Sequence, residues 1–265
     1  MRKYIAILAL ALILCALVFR PHAAENLRNT PVVKVVKQWA PSVVNISTEN
    51  IVLLRQDPIW GQYGPAFDDF FKQHSSVAVT AMKLKGIGSG VIVSDDGLIV
   101  TNMHVVQMAS KVYVVFSDSS VVEAAITAGS TDDDVAILKI APPKKLQPVK
   151  FAKDIIIGET VVSIGNPFGL ENSVSAGIVS GTNRAFSYGD GRAVTGLIQT
   201  DASINIGSSG GALLNLEGDL VGVNLAVVQG AQSIGFAIPA QKIKELLKRY
   251  DEIKKTPTQI RIPAQ

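Results

Sequence analysis

The sequence has 265 residues, 48% of them hydrophobic and 18% charged, which excludes a disordered chain and leaves room for one large domain or two small ones sharing a core. Its net charge of +3 comes from Arg2, Lys3 and Arg20; the other basic residues balance the 22 acidic ones, so there is no basic footprint for nucleic acid. The single cysteine, Cys15, excludes an internal disulfide, and three histidines without a cysteine cluster argue against a zinc site, so neither metal nor cofactor is expected.

Met1-Arg2-Lys3 is a positive start, and Tyr4 to Phe19 is an unbroken apolar run. As a helix that run spans about 24 Å, short of the ~30 Å hydrocarbon core of a bilayer, which favours a secretory signal. Ala23-Ala24 supplies a small residue for cleavage, but His22 or Pro21 falls where a second small residue belongs, so a retained anchor stays open. Leu14 before Cys15 argues against a lipoprotein. Residues 1–24 are therefore expected to be a signal peptide or anchor. Membrane contact is expected only through residues 4–19, if uncleaved, with the domain delivered outside the cytoplasm.

Residues 25–41 form a polar lead and a short helix-like piece that ends at Pro41, and Ser42–Leu54 reads as a strand. Asp57–His74 is aromatic and rich in turn formers, which fits an ordered surface loop or a partner-contacting loop. From Lys83 onward strands follow one another: Val91–Ser94, Leu98–Asn102, Lys111–Phe116, Val121–Ala128 and Val135–Ile140, then the connector Pro142-Pro143. Gly86-Ile87-Gly88-Ser89-Gly90 has the wrong spacing for a dinucleotide fingerprint, and a strand follows it where a helix should begin. Asp95-Asp96-Gly97 is a hairpin turn, not a calcium loop.

A second set of strands comprises Val161–Ile164, Ser173–Ser180, Leu197–Thr200, Ala212–Asn215, Leu220–Val228 and Ile234–Ile238, with a turn expected from Asn183 to Gly191. Short strands at this spacing indicate paired barrels or a sandwich. After Pro239, Ile243, Leu246, Leu247 and Tyr250 form one apolar stripe of a helix.

Gly207-Ser208-Ser209-Gly210-Gly211 is either a Gly/Ser-rich loop or the seat of a nucleophile. In the second reading the amides of Gly207 and Ser209 converge on one spot, and Ser209 Oγ attacks beside it. That reading needs a base and a carboxylate. Of the histidines, His22 belongs to the targeting segment and His74 to the aromatic loop. His104 ends the apolar stretch Val100-Thr101-Asn102-Met103; by itself it reads as a structural histidine or as a catalytic one, held firmly yet able to face a cleft. Asp132-Asp133-Asp134 precedes Val135-Ala136-Ile137-Leu138 and is either a solvated acidic turn or one from which Asp134, beside the apolar strand, is drawn inward. A buried carboxylate needs a partner, and an imidazole N–H is a good one. The chain order His104, Asp134, Ser209 is that of chymotrypsin-like enzymes. It puts base and acid in the first strand set and the nucleophile in the second.

Thr101-Asn102-Met103-His104-Val105-Val106, Asp134-Val135-Ala136-Ile137-Leu138-Lys139-Ile140, Gly165-Asn166-Pro167-Phe168-Gly169, Gln199-Thr200-Asp201-Ala202-Ser203-Ile204-Asn205, Gly207 to Gly211 and Ile234-Gly235-Phe236-Ala237-Ile238-Pro239 resemble the HtrA (Deg) family of trypsin-like serine proteases. The resemblance covers roughly residues 30–250. It implies an all-β fold of two six-stranded antiparallel β-barrels (trypsin/chymotrypsin-like) with a C-terminal helix. The protease domain is then 25–250, with a first barrel at about 42–141, a second at about 149–239, the helix at 240–250 and a polar tail at 251–265. The resemblance also implies ATP-independent cleavage of unfolded or misfolded proteins in the periplasm or cell envelope, and a homotrimer, for which Trp60, Phe67, Phe70 and Phe71 are candidate contacts. It makes Ser209 the nucleophile, His104 the base and Asp134 its orienter, with the amides of Gly207, Ser208 and Ser209 as the oxyanion hole. Two positions depart from the family pattern: Ser208 stands where Asn is usual, and Ile206 where Pro is usual, which could loosen the loop. The family usually appends a PDZ domain where this sequence ends, so peptide sensing through a PDZ groove is not expected.

By position relative to Ser209, Asn224-Leu225-Ala226-Val227 is the strand expected to pair with substrate backbone, and Ser203 and Ile204 are expected to reach the primary pocket. No acid lies among them, which predicts small or medium aliphatic residues at the cleaved position and not Lys or Arg. The alternative reading is a protease fold kept as a holdase or scaffold with little or no hydrolysis.

Overall fold

Thr30 opens the first helix, α1 (Pro31–Trp39), by accepting a hydrogen bond from the Val33 amide, with Pro31 in the first turn where its missing N–H costs nothing. A computed structural model describes this helix among residues 28–52, 82–166, 173–188, 191–205, 207–227 and 233–255. The targeting segment 1–24 and the aromatic stretch 57–74, with Trp60, Phe67, Phe70 and Phe71, lie outside the described residues.

Six strands form the first barrel: β1 (Val43–Val52), β2 (Met82–Ile92), β3 (Leu98–Asn102), β4 (Lys111–Val115), β5 (Val121–Ser130) and β6 (Val135–Lys139). They close in the order β1-β2-β3-β6-β5-β4, with every neighbouring pair antiparallel. A one-turn helix, α2 (Met103–Val106), joins β3 to the segment before β4. The second sheet is built from β7 (Lys150–Phe151), β8 (Thr160–Gly165), β9 (Ser173–Ser187), β10 (Ala193–Thr200), β11 (Ala212–Asn215), β12 (Asp219–Val227) and β13 (Gly235–Pro239). Because β11 pairs with both β8 and β12, β8 to β13 close into a ring, and β7 is a short parallel appendage on β12. Helix α3 (Ala240–Lys255) follows and buries Ile243 and Leu246.

Several strands bury both faces, which explains why their sequences are continuously apolar where a half-exposed strand would alternate. On β6, Ala136 and Leu138 fill the first barrel with Ile46, Ile99 and Phe116, while Val135 and Ile137 face the opposite way. That second set joins a central cluster with Val162 and Ile164 of β8, Leu214 of β11 and Val223 and Leu225 of β12. Alternate residues of β11 and β13, Leu213 and Ala237, fill the second barrel with Val161, Val179 and Ile198. The barrels thus share an apolar seam, each fully buried Leu, Ile or Val contributing roughly 1.5–3 kcal/mol.

Several boundaries differ from the sequence reading, among them the start of β2, at Met82 instead of the expected Val91, and two in the C-terminal half of the chain. The turn expected from Asn183 to Gly191 is narrower: β9 runs to Ser187 and β10 starts at Ala193, forming a long hairpin arm. Asn183 takes the turn-like φ of +53° inside that arm, and the pairing of β9 with β10 shifts register there, so the irregularity is absorbed as bulges. The C-terminal helix continues past Tyr250 to Lys255, with two lysines in its last turn, where they complement the helix dipole.

Candidate active site

The antiparallel register of β3 on β6 pairs Asn102 with Val135. The next residue in each direction is Met103 and Asp134, and the Met103 amide donates to the Asp134 carbonyl at 3.1 Å. Entry into α2 then turns His104 back over the acid. Its backbone amide donates to Asp134 Oδ1 at 2.8 Å, and its ring Nδ1 lies 2.6 Å from Asp134 Oδ2. A carboxylate only accepts, so Nδ1 carries the proton and Nε2 is left as the ring's free base.

Asp134 is 3% exposed and has a φ of +54°, a left-handed conformation that Asp tolerates better than most residues at a cost of about 1–2 kcal/mol. Its contacts hold it there. Asn102 Nδ2 also donates to its carbonyl at 3.2 Å, and the hydroxyl of Tyr188, from the β9–β10 arm, donates to Oδ2 at 2.9 Å. The preceding residue, Asp133, pairs with Lys242 of α3 at 2.5 Å, and Lys242 also donates to the Thr195 carbonyl at 2.8 Å. Burial pushes the Asp133 carboxyl up, but the hydrogen bond and charge of Lys242 outweigh it and hold the group below the ordinary carboxylate range.

Ser209 lies in the loop before β11, and that loop is anchored to the first barrel through Ser89 of β2. Ser89 N–H donates to the Ser209 carbonyl at 2.8 Å, and Ser89 Oγ donates to the Gly207 carbonyl at 2.7 Å. The Asn166 amide donates to Ser89 Oγ at 2.8 Å, and Asn45 Nδ2 donates to the Asn166 carbonyl at 2.9 Å. Gly88 allows the close approach: a Cβ there would stand 2.7 Å from Val105 Cγ1 and 3.4 Å from the Ser209 carbonyl. The residue after His104 and the backbone of Ser209 therefore meet on one glycine. Gly210, at φ +83°, donates its amide to the Asn224 carbonyl at 2.9 Å.

Among the described residues, neither the Gly207 nor the Ser209 amide donates a hydrogen bond to another group, whereas Ser208 N–H donates to the Asn205 carbonyl at 2.9 Å. Ser208 therefore supplies no free donor. Of the three amides expected to form an oxyanion hole, that of Ser208 is thus already bonded within the turn from Asn205 to Ser208.

The expected pocket residues are not equivalent. Ser203 is exposed, and its carbonyl accepts from Ser175 Oγ at 2.6 Å. Ile204 is 2% exposed and packs against Gly235, where a Cβ would stand 3.0 Å from Ile204 Cδ1, so it lies beneath the surface as a wall. The Asn224 side chain turns inward, with Nδ2 donating to Ser163 Oγ at 3.0 Å, and Leu225 is fully buried. Neither can offer its side chain to a substrate. Ala226 and Val227 belong to β12, and beyond Val223 no described strand pairs with the β12 edge that faces β11. An extended peptide could add to that edge through backbone hydrogen bonds.

Sequence reasoning missed Tyr188, Ser89 and Lys242. Tyr188 fell inside an expected turn, Ser89 inside a glycine-rich strand lead, and Lys242 among the polar residues of a helix. No local pattern marks any of them, because each acts on a partner far along the chain.

The model of the trypsin-like peptidase domain matches residues 88–223. The chain is 38% identical over 219 residues to a putative serine protease, HhoA, of Synechocystis, covering 81% of this chain and 55% of that protein. It is 34% identical over 249 residues to a probable periplasmic serine endoprotease, DegP-like, of Halomonas elongata, covering 88% of this chain and 52% of that protein. A solved structure of an HtrA-type protease, AlgW, with a decapeptide superposes with a TM-score of 0.69 at 31% identity, covering 85% of this chain and 68% of that one. The chain spans about half the length of the curated relatives it matches.

Proposed function

The chain belongs to the HtrA-type trypsin-like serine peptidases, and from that premise we propose that it is an endopeptidase of the cell envelope that cleaves unfolded or misfolded polypeptides. The observation that carries this reading is the His104–Asp134 pair together with the two uncommitted amides of Gly207 and Ser209. Ser209 Oγ gives its proton to His104 Nε2 as it attacks the scissile carbonyl. Asp134 holds the ring tautomer and stabilises the imidazolium. The carbonyl oxygen, now an oxyanion, takes the N–H groups of Gly207 and Ser209. His104 returns the proton to the leaving amine, and water, deprotonated by the same ring, releases the acyl group from Ser209.

Substrate backbone would pair with the free edge of β12, which selects extended segments and so favours unfolded chains. The absence of an acid among Ser203, Ile204 and Asn224 to Val227 supports a preference for small or medium aliphatic residues at the cleaved position. The envelope location rests on the apolar run at residues 4–19 and on the periplasmic relatives, and homotrimeric assembly rests on the family resemblance. Digestion of a reduced, unfolded protein, with the product ends identified by mass spectrometry, tests the reading. Cleavage after Ala, Val or Leu is expected. Cleavage mainly after Lys or Arg contradicts the pocket, and no cleavage of any unfolded protein contradicts the activity.

A further inference from the structure

We propose that Tyr188 is a positioning residue for the His104–Asp134 pair, a role that rests on the reading of these two residues as base and orienter. Asp134 Oδ2 accepts two side-chain hydrogen bonds: one from His104 Nδ1 at 2.6 Å in the first barrel, the other from the Tyr188 hydroxyl at 2.9 Å in the arm of the second. The groups facing the carboxylate come from three elements. His104 rises from α2, Tyr188 descends from the β9–β10 arm, and the Asp133–Lys242 pair brings α3 beside it.

The tyrosine itself is held on all sides. Its N–H donates to the Arg192 carbonyl at 2.8 Å, and its carbonyl accepts from the Gly191 amide at 3.1 Å. Its ring packs edge-on against Phe186 at 5.1 Å, with the Arg192 guanidinium 5.1 Å over its face. The ring also lies 6.4 Å from that of His104, centroid to centroid. A hydroxyl fixed in this way does two things. It keeps the carboxylate rotated so that Oδ1 meets the His104 amide while Oδ2 meets Nδ1, and it shares the charge of Oδ2, which tempers how strongly that oxygen pulls on the imidazole proton. It also makes the geometry of the acid depend on the seating of the long arm against the first barrel.

Tyr188→Phe keeps the ring, its stack on Phe186 and its contact with Arg192, and removes only the donor. The expected kinetic result is a fall in kcat of about three- to tenfold with KM unchanged, the loss of a charge-assisted hydrogen bond that acts on the reacting pair. The acid limb of the kcat/KM profile moves to higher pH, because the untempered carboxylate stabilises the imidazolium more strongly. The downfield proton resonance of His104 Nδ1 moves further downfield in the same variant, and this signal needs no turnover. Should the wild-type chain fail to hydrolyse peptides, the proposed activity falls while the resonance still reports on Tyr188. An unmoved resonance, or a lowered melting temperature with kcat and the acid limb unchanged, overturns the positioning role.

Discussion

Ser89 Oγ donates to the Gly207 carbonyl at 2.7 Å, across the seam between the two barrels and out of reach of solvent. The same residue's N–H holds the Ser209 carbonyl, so one side chain and one backbone group of the first barrel fix the Gly207–Ser208 and Ser209–Gly210 peptides. The loop that carries Ser209 is thus shaped by the barrel that does not contain it.

Ser89→Ala leaves the Gly207 carbonyl and the Asn166 amide buried without their partner. A loss of about 1–3 kcal/mol of stability is expected, read from denaturant unfolding. Acylation is expected to slow by about 10- to 100-fold, since the Gly207–Ser208 peptide, which lies between the amides of Gly207 and Ser209, loses its side-chain tether. Rates of active-site titration measure the second effect separately from the first.

The glycines at 210 and 158 both have positive φ, +83° and +88°, yet their surroundings differ. A Cβ at Gly210 would stand 2.1 Å from the Ser89 carbonyl oxygen and 2.4 Å from Thr101 Oγ1, whereas nothing lies within 4 Å of one at Gly158. Gly158→Ala is expected to cost about 1–2 kcal/mol, the backbone term alone. Gly210→Ala is expected to cost at least about 3 kcal/mol and to remove activity, since backbone must move to admit the methyl. Melting temperatures of the two variants, measured side by side, check the contrast.

Replacing Lys242 by Met tests the clamp on the acid turn through its pH dependence. The Asp133 carboxyl is lower in the folded chain than its ordinary value of 3.8, so the pair stabilises the fold fully above that value and loses its effect as pH falls through the depressed one. The variant is expected to be less stable than wild type by about 0.5–1 kcal/mol near pH 7, a modest figure because both side chains keep some contact with water. In acid the difference should shrink to the part owed to the Lys242–Thr195 hydrogen bond, which does not titrate. A difference that is constant down to low pH would place the effect of Lys242 in packing.

The fold was legible where strands carry their own signature. Leu98–Asn102 and Ala212–Asn215 have the bounds read from sequence, because short apolar runs bounded by glycine or asparagine need no distant partner to be recognised. His104, Asp134 and the Gly207–Gly211 loop were legible as residue types in a known order, and register then explains why the first two meet. The second-barrel supports were not legible. Tyr188 depends on an arm whose bulges disguise it as a turn, and the loss of Ser208 as a donor depends on the Asn205 carbonyl lying within reach, a fact of backbone geometry.

Asp134→Asn preserves the shape of the acid and removes its charge. The amide can present an N–H toward Nδ1 and favour the wrong tautomer, so kcat is expected to fall by about four orders of magnitude with the fold intact. Peptide hydrolysis together with circular dichroism distinguishes this outcome from unfolding.

Covalent labelling of the purified chain with a fluorophosphonate, followed by peptide mapping, is the most direct test that Ser209 is a nucleophile activated by His104. The label is expected on Ser209 in the wild type, absent in Ser209→Ala, and slowed by several orders of magnitude in His104→Ala. A folded wild-type chain that takes up no label, or a label that persists in Ser209→Ala, would contradict it.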